Sequence, residues 1–261
     1  MEVVTRTAAD RWLRRYHRGG TARLRLYCLH FAGGTASMFR DWPALLPSYV
    51  GVEAFVLPGR EGRFREPALE RMDALVDGLI GALRPQLDTP YALFGYSFGA
   101  QVSFNLTHAL RDAGLPQPQA LFVGASAGPS ELGYIPGVDE TDDDLVAYMR
   151  SLGGTSSEVL DNPDLLDLVL PALRADLRTI ATLPYAPRPK LSIPIHAFSG
   201  AADPTTACPP LMAAWQRETT GSFRQTVYPG GHFFIDDVLP ELTAALGSDL
   251  DELTGRWEAA R

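Results

Sequence analysis

Leu93-Phe94-Gly95-Tyr96-Ser97-Phe98-Gly99-Ala100 joins a short apolar run to a helix-forming segment through one serine, with a glycine two residues to either side. This is the G-x-S-x-G pattern of a nucleophile elbow, a sharp strand-to-helix turn that lifts a serine hydroxyl clear of the end of a sheet. A Cβ at either glycine would collide with the neighbouring strand or helix. Gly and Ser are common in ordinary turns, so the weight comes from the surroundings. A strand is predicted at 91–95, and a helix at 98–113, closed by Gly114.

The same alternation extends outward. Further strands are predicted at 23–29, 52–57, 120–125, 193–199 and 223–228, and helices at 38–46, 68–83, 211–219, 238–246 and 250–259. The 52–57 run is apolar but for Glu53, the pattern of a strand buried on both faces. In 68–83, Leu69, Met72, Leu75, Val76, Leu79, Ile80 and Leu83 recur at helical spacing until Pro85. Alternating strands and helices imply an α/β protein with a mainly parallel central sheet, flanked by helices, whose ligands sit beyond the C-terminal ends of the strands. The alternation lapses over 129–189, where loops surround two helical stretches, 142–152 and 164–183, the second containing Pro171. Placed between two core strands, that block is expected to be a helical lid inserted in one domain spanning 1–261.

Composition sets the class. At 46% hydrophobic and 21% charged residues the chain is ordinary for a globular protein, and a net charge of −8 argues against nucleic acid as a partner. No apolar run approaches the roughly 20 residues of a membrane span. Residues 1–20 carry several arginines but no apolar centre, and Trp12, Leu13 and Tyr16 are expected to dock on the core. Cys28 and Cys208 are expected to be free thiols in a reducing cytoplasm.

A serine hydroxyl needs a base within hydrogen-bond reach and a third group to orient that base. In the order serine, acid, histidine, the base is expected at His232, in the glycine-hinged loop Pro229-Gly230-Gly231-His232-Phe233-Phe234. His196 sits inside a strand, where a packed, hydrogen-bonded side chain is expected; His108 is too far along its helix, and His17 and His30 precede the elbow. Asp203, directly after a strand, is the expected acid. Asp236 and Asp237 lie too close to His232 in sequence, and Asp142-Asp143-Asp144 suits a helix N-terminus. Two backbone N–H groups should stabilise an oxyanion. Phe98, after the nucleophile, is one; Ala32 in His30-Phe31-Ala32-Gly33-Gly34 is the other, with Phe31 and Gly33 as alternatives. Met149 and Leu170, on the apolar faces of the lid helices, are expected to line or cover an acyl chamber. Nothing in this chemistry calls for a metal or organic cofactor.

Taken together, Trp12-Leu13-Arg14-Arg15, Leu29-His30-Phe31-Ala32-Gly33-Gly34, Leu57-Pro58-Gly59-Arg60-Glu61, Gly95-Tyr96-Ser97-Phe98-Gly99-Ala100, Leu173-Arg174-Ala175-Asp176, Asp203-Pro204 and Gly230-Gly231-His232-Phe233-Phe234 resemble the stand-alone type II thioesterases of polyketide and nonribosomal peptide assembly lines. The resemblance implies an α/β-hydrolase fold with a helical lid. It implies hydrolysis, for editing, of acyl groups held on the phosphopantetheine arm of an acyl or peptidyl carrier protein, with Ser97, Asp203 and His232 as catalytic residues. A monomer is expected. Product release or cyclisation, small-molecule ester hydrolysis and silent carrier-protein binding are the competing readings. Where the family has an acidic-aromatic stretch at the lid's end, this chain has Ala181-Thr182-Leu183-Pro184-Tyr185. Pro58-Gly59-Arg60 is read as a turn plus an arginine that pairs with a nearby carboxylate.

Overall fold

A computed structural model describes residues 11–16, 22–136 and 139–259, with side chains to 255. Most of the 1–20 lead-in, His17 included, lies outside the described residues. Seven strands form one sheet: β1 (Leu13–Arg15), β2 (Leu24–Leu29), β3 (Val50–Phe55), β4 (Tyr91–Tyr96), β5 (Leu121–Gly124), β6 (Ile195–Gly200) and β7 (Phe223–Tyr228). Their order is β1-β3-β2-β4-β5-β6-β7; β1 pairs antiparallel with β3, and the other pairs are parallel. This is the α/β-hydrolase arrangement, with β4 in the middle and its C-terminal end leading to Ser97.

Two apolar layers cover the sheet, and the pleat of β2 divides its side chains between them. Tyr27 and Leu29 pack with α1 (Met72–Leu83) and α2 (Phe98–Asp112). Leu24, Leu26 and Cys28 face the other way, with Phe39, Trp42, Phe94 and the Leu242, Leu246 and Leu250 face of the C-terminal helix. Burying a side chain such as Phe94, fully enclosed between Phe39 and Trp42, contributes about 2–3 kcal/mol. Helices α3 (Asp142–Leu152), α4 (Ser157–Leu160) and α5 (Pro163–Ala181) all lie between β5 and β6. They share a cluster of their own around Leu145, Met149, Leu160, Leu170, Leu173 and Leu177. Two more helices, α6 (Pro209–Ala213) and α7 (Leu239–Ala259), follow β6 and β7 respectively. None of the described helices is long and apolar enough to cross a membrane.

Several elements differ from the sequence-based expectation. The helix expected over 38–46 is two 3-10 turns, Ala36–Phe39 and Trp42–Ala44, the second with Pro43 in its first turn. Helix α1 begins at Met72, not at residue 68, because Arg71 is extended. The helix expected over 211–219 is α6 followed by a 3-10 turn, Ala214–Glu218. The helices expected over 238–246 and 250–259 are one helix, α7, which begins at Leu239 and runs through Gly247, where a Cβ would stand 3.2 Å from Pro47. Strand β1 and the single turn of α4 were not anticipated. Pro171 sits inside α5 without ending it. Cys28 is buried and Cys208 exposed, and both are free.

Candidate active site

Ser97 occupies the elbow between β4 and α2 with φ +54° and ψ −113°, a conformation L-residues rarely adopt. Its own N–H is held by the Gly124 carbonyl on the adjacent strand at 2.7 Å. A Cβ on Gly95 would lie 2.1 Å from the Gly99 carbonyl oxygen, and one on Gly99 would lie 2.3 Å from that of Leu29. The elbow therefore admits only glycine at both positions, one face closed by the helix and the other by β2.

The loop after β7 brings His232 to the serine. His232 Nε2 stands 3.0 Å from Ser97 Oγ, and Nδ1 stands 3.2 and 3.1 Å from the two carboxylate oxygens of Asp203. With Nδ1 facing a carboxylate, the ring proton belongs on Nδ1, and Nε2 offers its lone pair to the serine hydroxyl. Tyr96 donates its hydroxyl to the His232 carbonyl at 2.5 Å and so anchors the loop. Asp203 is fully buried at the end of β6. Burial pushes its carboxyl up, but His232, Thr206 and Thr205 outweigh that and leave it below the ordinary aspartate value. Thr206 donates its hydroxyl at 2.6 Å, and Thr205 donates both its N–H, at 2.9 Å, and its hydroxyl, at 2.8 Å. These threonines were absent from the sequence reading; the signal for them was an aspartate followed by Pro-Thr-Thr, a turn that folds hydroxyls back on a carboxylate. Asp236 and Asp237 are exposed. His196 instead pairs with Asp249 at 2.5 Å and Thr226 at 2.8 Å.

The N–H groups of Ala32 and Phe98 make no hydrogen bond among the described residues, and both residues line the cavity at Ser97. Gly33, one of the alternatives to Ala32, has its N–H taken by Asp176 at 2.8 Å. Asp176 also receives both terminal nitrogens of Arg60, at 2.6 and 2.8 Å, which is the carboxylate partner anticipated for that arginine.

A cavity of 320 Å³ opens over Ser97. Phe31, Phe98, Leu132, Ile135, Leu152, Leu177, Ile180 and Phe233 make its wall largely apolar, and Tyr148, Gln101 and Ser126 add polar atoms. Burial, with the Asp203 charge nearby, pushes the Tyr148 phenol up to about 12, so it stays protonated. Of the expectation that Met149 and Leu170 line or cover the chamber, the lining is corrected: neither side chain is part of the cavity wall. Both are buried within the apolar cluster shared by α3, α4 and α5, and the neighbouring faces of those helices, with Tyr148 and Leu152 on α3 and Leu177 and Ile180 on α5, look into it. Among the described residues no group of His, Cys, Asp and Glu side chains has a metal-site arrangement.

Residues 24–249 match the thioesterase domain family. The chain is 36% identical over 235 residues to thioesterase PikA5 of Streptomyces venezuelae, covering 88% of this chain and 82% of that one. The structure of the type II thioesterase BorB from the borrelidin biosynthetic cluster superposes with a TM-score of 0.82 at 36% identity, covering 92% of this chain and 97% of BorB. The chain is also 32% identical over 254 residues to linear gramicidin dehydrogenase LgrE of Brevibacillus parabrevis, covering 94% of this chain and 95% of that one. That name is a redox one. The residues gathered here are a serine, an imidazole and a carboxylate, and no two glycines of the chain stand two apart, as the opening of a dinucleotide loop requires.

Proposed function

The chain belongs to the thioesterase family, as a type II thioesterase of the polyketide and nonribosomal peptide kind, and from that premise we propose that it edits assembly lines by hydrolysing acyl groups from the phosphopantetheine thioester of acyl or peptidyl carrier proteins. It is a serine thioester hydrolase, and Ser97, His232 and Asp203 are the residues to which we assign the chemistry. The observation that carries the assignment is the unbroken line from Ser97 Oγ through His232 to the buried Asp203, at the floor of an apolar cavity.

Ser97 Oγ attacks the thioester carbonyl carbon while His232 Nε2 takes the hydroxyl proton. Asp203 stays ionised and stabilises the imidazolium. The carbonyl oxygen becomes an oxyanion facing the Phe98 and Ala32 N–H groups, which cost no reorganisation at the moment of reaction. Collapse breaks the C–S bond, and the pantetheine thiol leaves with the proton from His232. Water then attacks the acyl-serine. His232 takes its proton and returns it to Ser97 Oγ as the carboxylic acid departs. The acyl chain lies against the apolar wall of the cavity. The 129–189 segment acts as a lid within a single domain, limiting the water that reaches the acyl-enzyme.

The test is a panel of acyl-carrier proteins and acyl thioesters of varied chain length, assayed for free acid. Short acyl units released from several carriers are the expected result. Turnover of one long chain alone would favour product release, and turnover of simple esters with carrier thioesters untouched would favour a carboxylesterase. Ser97→Ala should lower kcat by about 10⁶-fold. A variant as active as the parent protein would remove Ser97 from the mechanism and leave a binding module as the better reading.

A further inference from the structure

We propose that Asp176 is a positioning residue of the oxyanion site: through its bond to the Gly33 N–H it aligns the Ala32 amide with Ser97, and so makes that alignment depend on how α5 is seated. The inference rests on the thioesterase reading above and adds to it a residue on the lid helix.

The Ala32 N–H belongs to the peptide plane that carries the Phe31 carbonyl. In a trans peptide the two groups point in opposite directions. The Phe31 carbonyl accepts from His30 Nδ1 at 2.8 Å and from the Gly34 N–H at 2.9 Å, which turns the Ala32 N–H the other way. Burial, with the Arg60 charge nearby, pushes the His30 imidazole down to about 3, so the ring is neutral and carries one proton for that bond. The next peptide plane begins at the Gly33 nitrogen, and its N–H is the one Asp176 holds at 2.8 Å. Two planes meet at the Ala32 Cα. With both clamped, the direction of the Ala32 amide is set.

The second clamp comes from α5. Asp176 and Arg60 are each nearly enclosed, at 2% and 5% exposure. Arg60 meets the carboxylate through both terminal nitrogens and also reaches the Gly34 carbonyl at 3.4 Å. The ion pair thus grips the loop by a donor at Gly33 and an acceptor at Gly34. The helix also touches that loop directly: Gly33 has φ +74°, and a Cβ there would lie 3.2 Å from Leu173 Cβ. Leu177, the residue after Asp176, lines the cavity. One turn of α5 therefore covers the acyl site and aims the amide that would stabilise its oxyanion. A pair serving only packing would have no need of the bond to Gly33, since buried ion pairs are often replaced by apolar residues without loss of stability.

Asp176→Asn and the double variant Arg60→Met/Asp176→Leu, assayed on the butyryl thioester of N-acetylcysteamine, separate the two roles. Both are expected to lower kcat about 100-fold, the scale of a small misalignment at the reacting centre, with KM within about twofold. Affinity for a butyl trifluoromethyl ketone, whose adduct with Ser97 bears an oxyanion, should fall by the same factor as kcat. The double variant has no buried charge to leave unpaired and is expected to keep a melting temperature near that of the parent protein. Parental kcat and ketone affinity in the folded double variant would overturn the positioning role alone. Failure of the parent protein to hydrolyse the thioester would overturn the thioesterase reading and this inference with it.

Discussion

Asp203 keeps its charge where burial opposes it, and the donors that allow this are specific. The fully enclosed carboxylate receives His232 Nδ1, the Thr206 hydroxyl, and the Thr205 N–H and hydroxyl. Asp203→Asn removes the charge that holds the imidazole in its reactive tautomer, and kcat should fall by about 10⁴-fold while the fold survives. Circular dichroism beside the assay checks this, and a loss of a few fold only would remove Asp203 from its role. Thr206→Val tests the support. A hydrogen bond to a charged group is worth about 1.5–3 kcal/mol, so urea unfolding at neutral pH should show a loss of that size. The folded carboxyl is depressed below 3.8, so this stabilisation is present above 3.8 and is lost as pH falls through the folded value. The gap between parent and variant should therefore narrow in acid. Connectivity alone does not make such a site. Asp249, His196 and Thr226 repeat the order acid, imidazole, hydroxyl, yet Thr226 lies inside the regular strand β7. Ser97 has instead a left-handed turn, the N-terminus of α2 beside it and an apolar cavity above it.

At the scale of elements, the elbow is held between α2 and β2 by the absence of two methyl groups. Gly99→Ala puts a Cβ 2.3 Å from the Leu29 carbonyl oxygen, which forces β2 or α2 to move. A loss of at least about 3 kcal/mol in urea unfolding is expected, together with loss of hydrolysis; a variant of parental stability would show the contact to be soft. Much of this was legible beforehand because glycine spacing reports backbone conformation directly. The helices over 142–152 and 164–183 were legible too: α3 has a capping box between Thr141 and Asp144, and α5 is capped by Asn162 with Pro163 following. Strand β1 was not, since its Leu-Arg-Arg has one buried side chain and takes its register from β3. The misassignment of Met149 and Leu170 has a similar cause. Periodicity finds the apolar side of a helix, but α3 and α5 each have two apolar surfaces, one packing against the other helices between β5 and β6 and one looking into the cavity. A single sequence does not say which is which. The anchoring of α5 leads to a prediction of its own. Besides Arg60, α5 is tied to the body through the Thr179 hydroxyl on the Leu69 carbonyl at 3.2 Å and Arg178 on Glu70. The buried residues of α3, Leu145 and Met149, cluster with Leu160 of α4 and with Leu170, Leu173 and Leu177 of α5. Hydrogen exchange should therefore be faster across α3 and α4 than across 172–181 of α5. Equal protection would mean that the segment moves as one piece.

Over the whole molecule, two buried imidazoles add to the response to acid. His108, in α2, is enclosed against Phe104 with neither ring nitrogen hydrogen-bonded among the described residues, and burial, aided by Arg188 and Arg111, pushes it from 6.5 down to about 4. His30 is pushed down to about 3 by burial and Arg60. Both are neutral in the folded chain at any pH above those values, whereas the unfolded chain protonates them near 6.5. Below 6.5 the unfolded state binds more protons, so stability falls with pH, until about 4 for His108 and about 3 for His30; above 6.5 neither contributes any slope. Each imidazole should add a slope of about 1.4 kcal/mol per pH unit within its window. His30 lies in the loop that aims the Ala32 amide, so its removal would confound stability with activity. His108 is away from the site, and His108→Leu replaces an unpartnered ring with an apolar side chain against Phe104 and the core. Urea unfolding from pH 4 to 8 should show this variant with a slope shallower by about 1.4 kcal/mol per pH unit below 6.5, and at least as stable as the parent protein at pH 5. Parallel curves would mean that His108 opens to solvent and takes up its proton without unfolding the chain, so that the imidazole share of acid sensitivity would rest on His30 and the loop it braces.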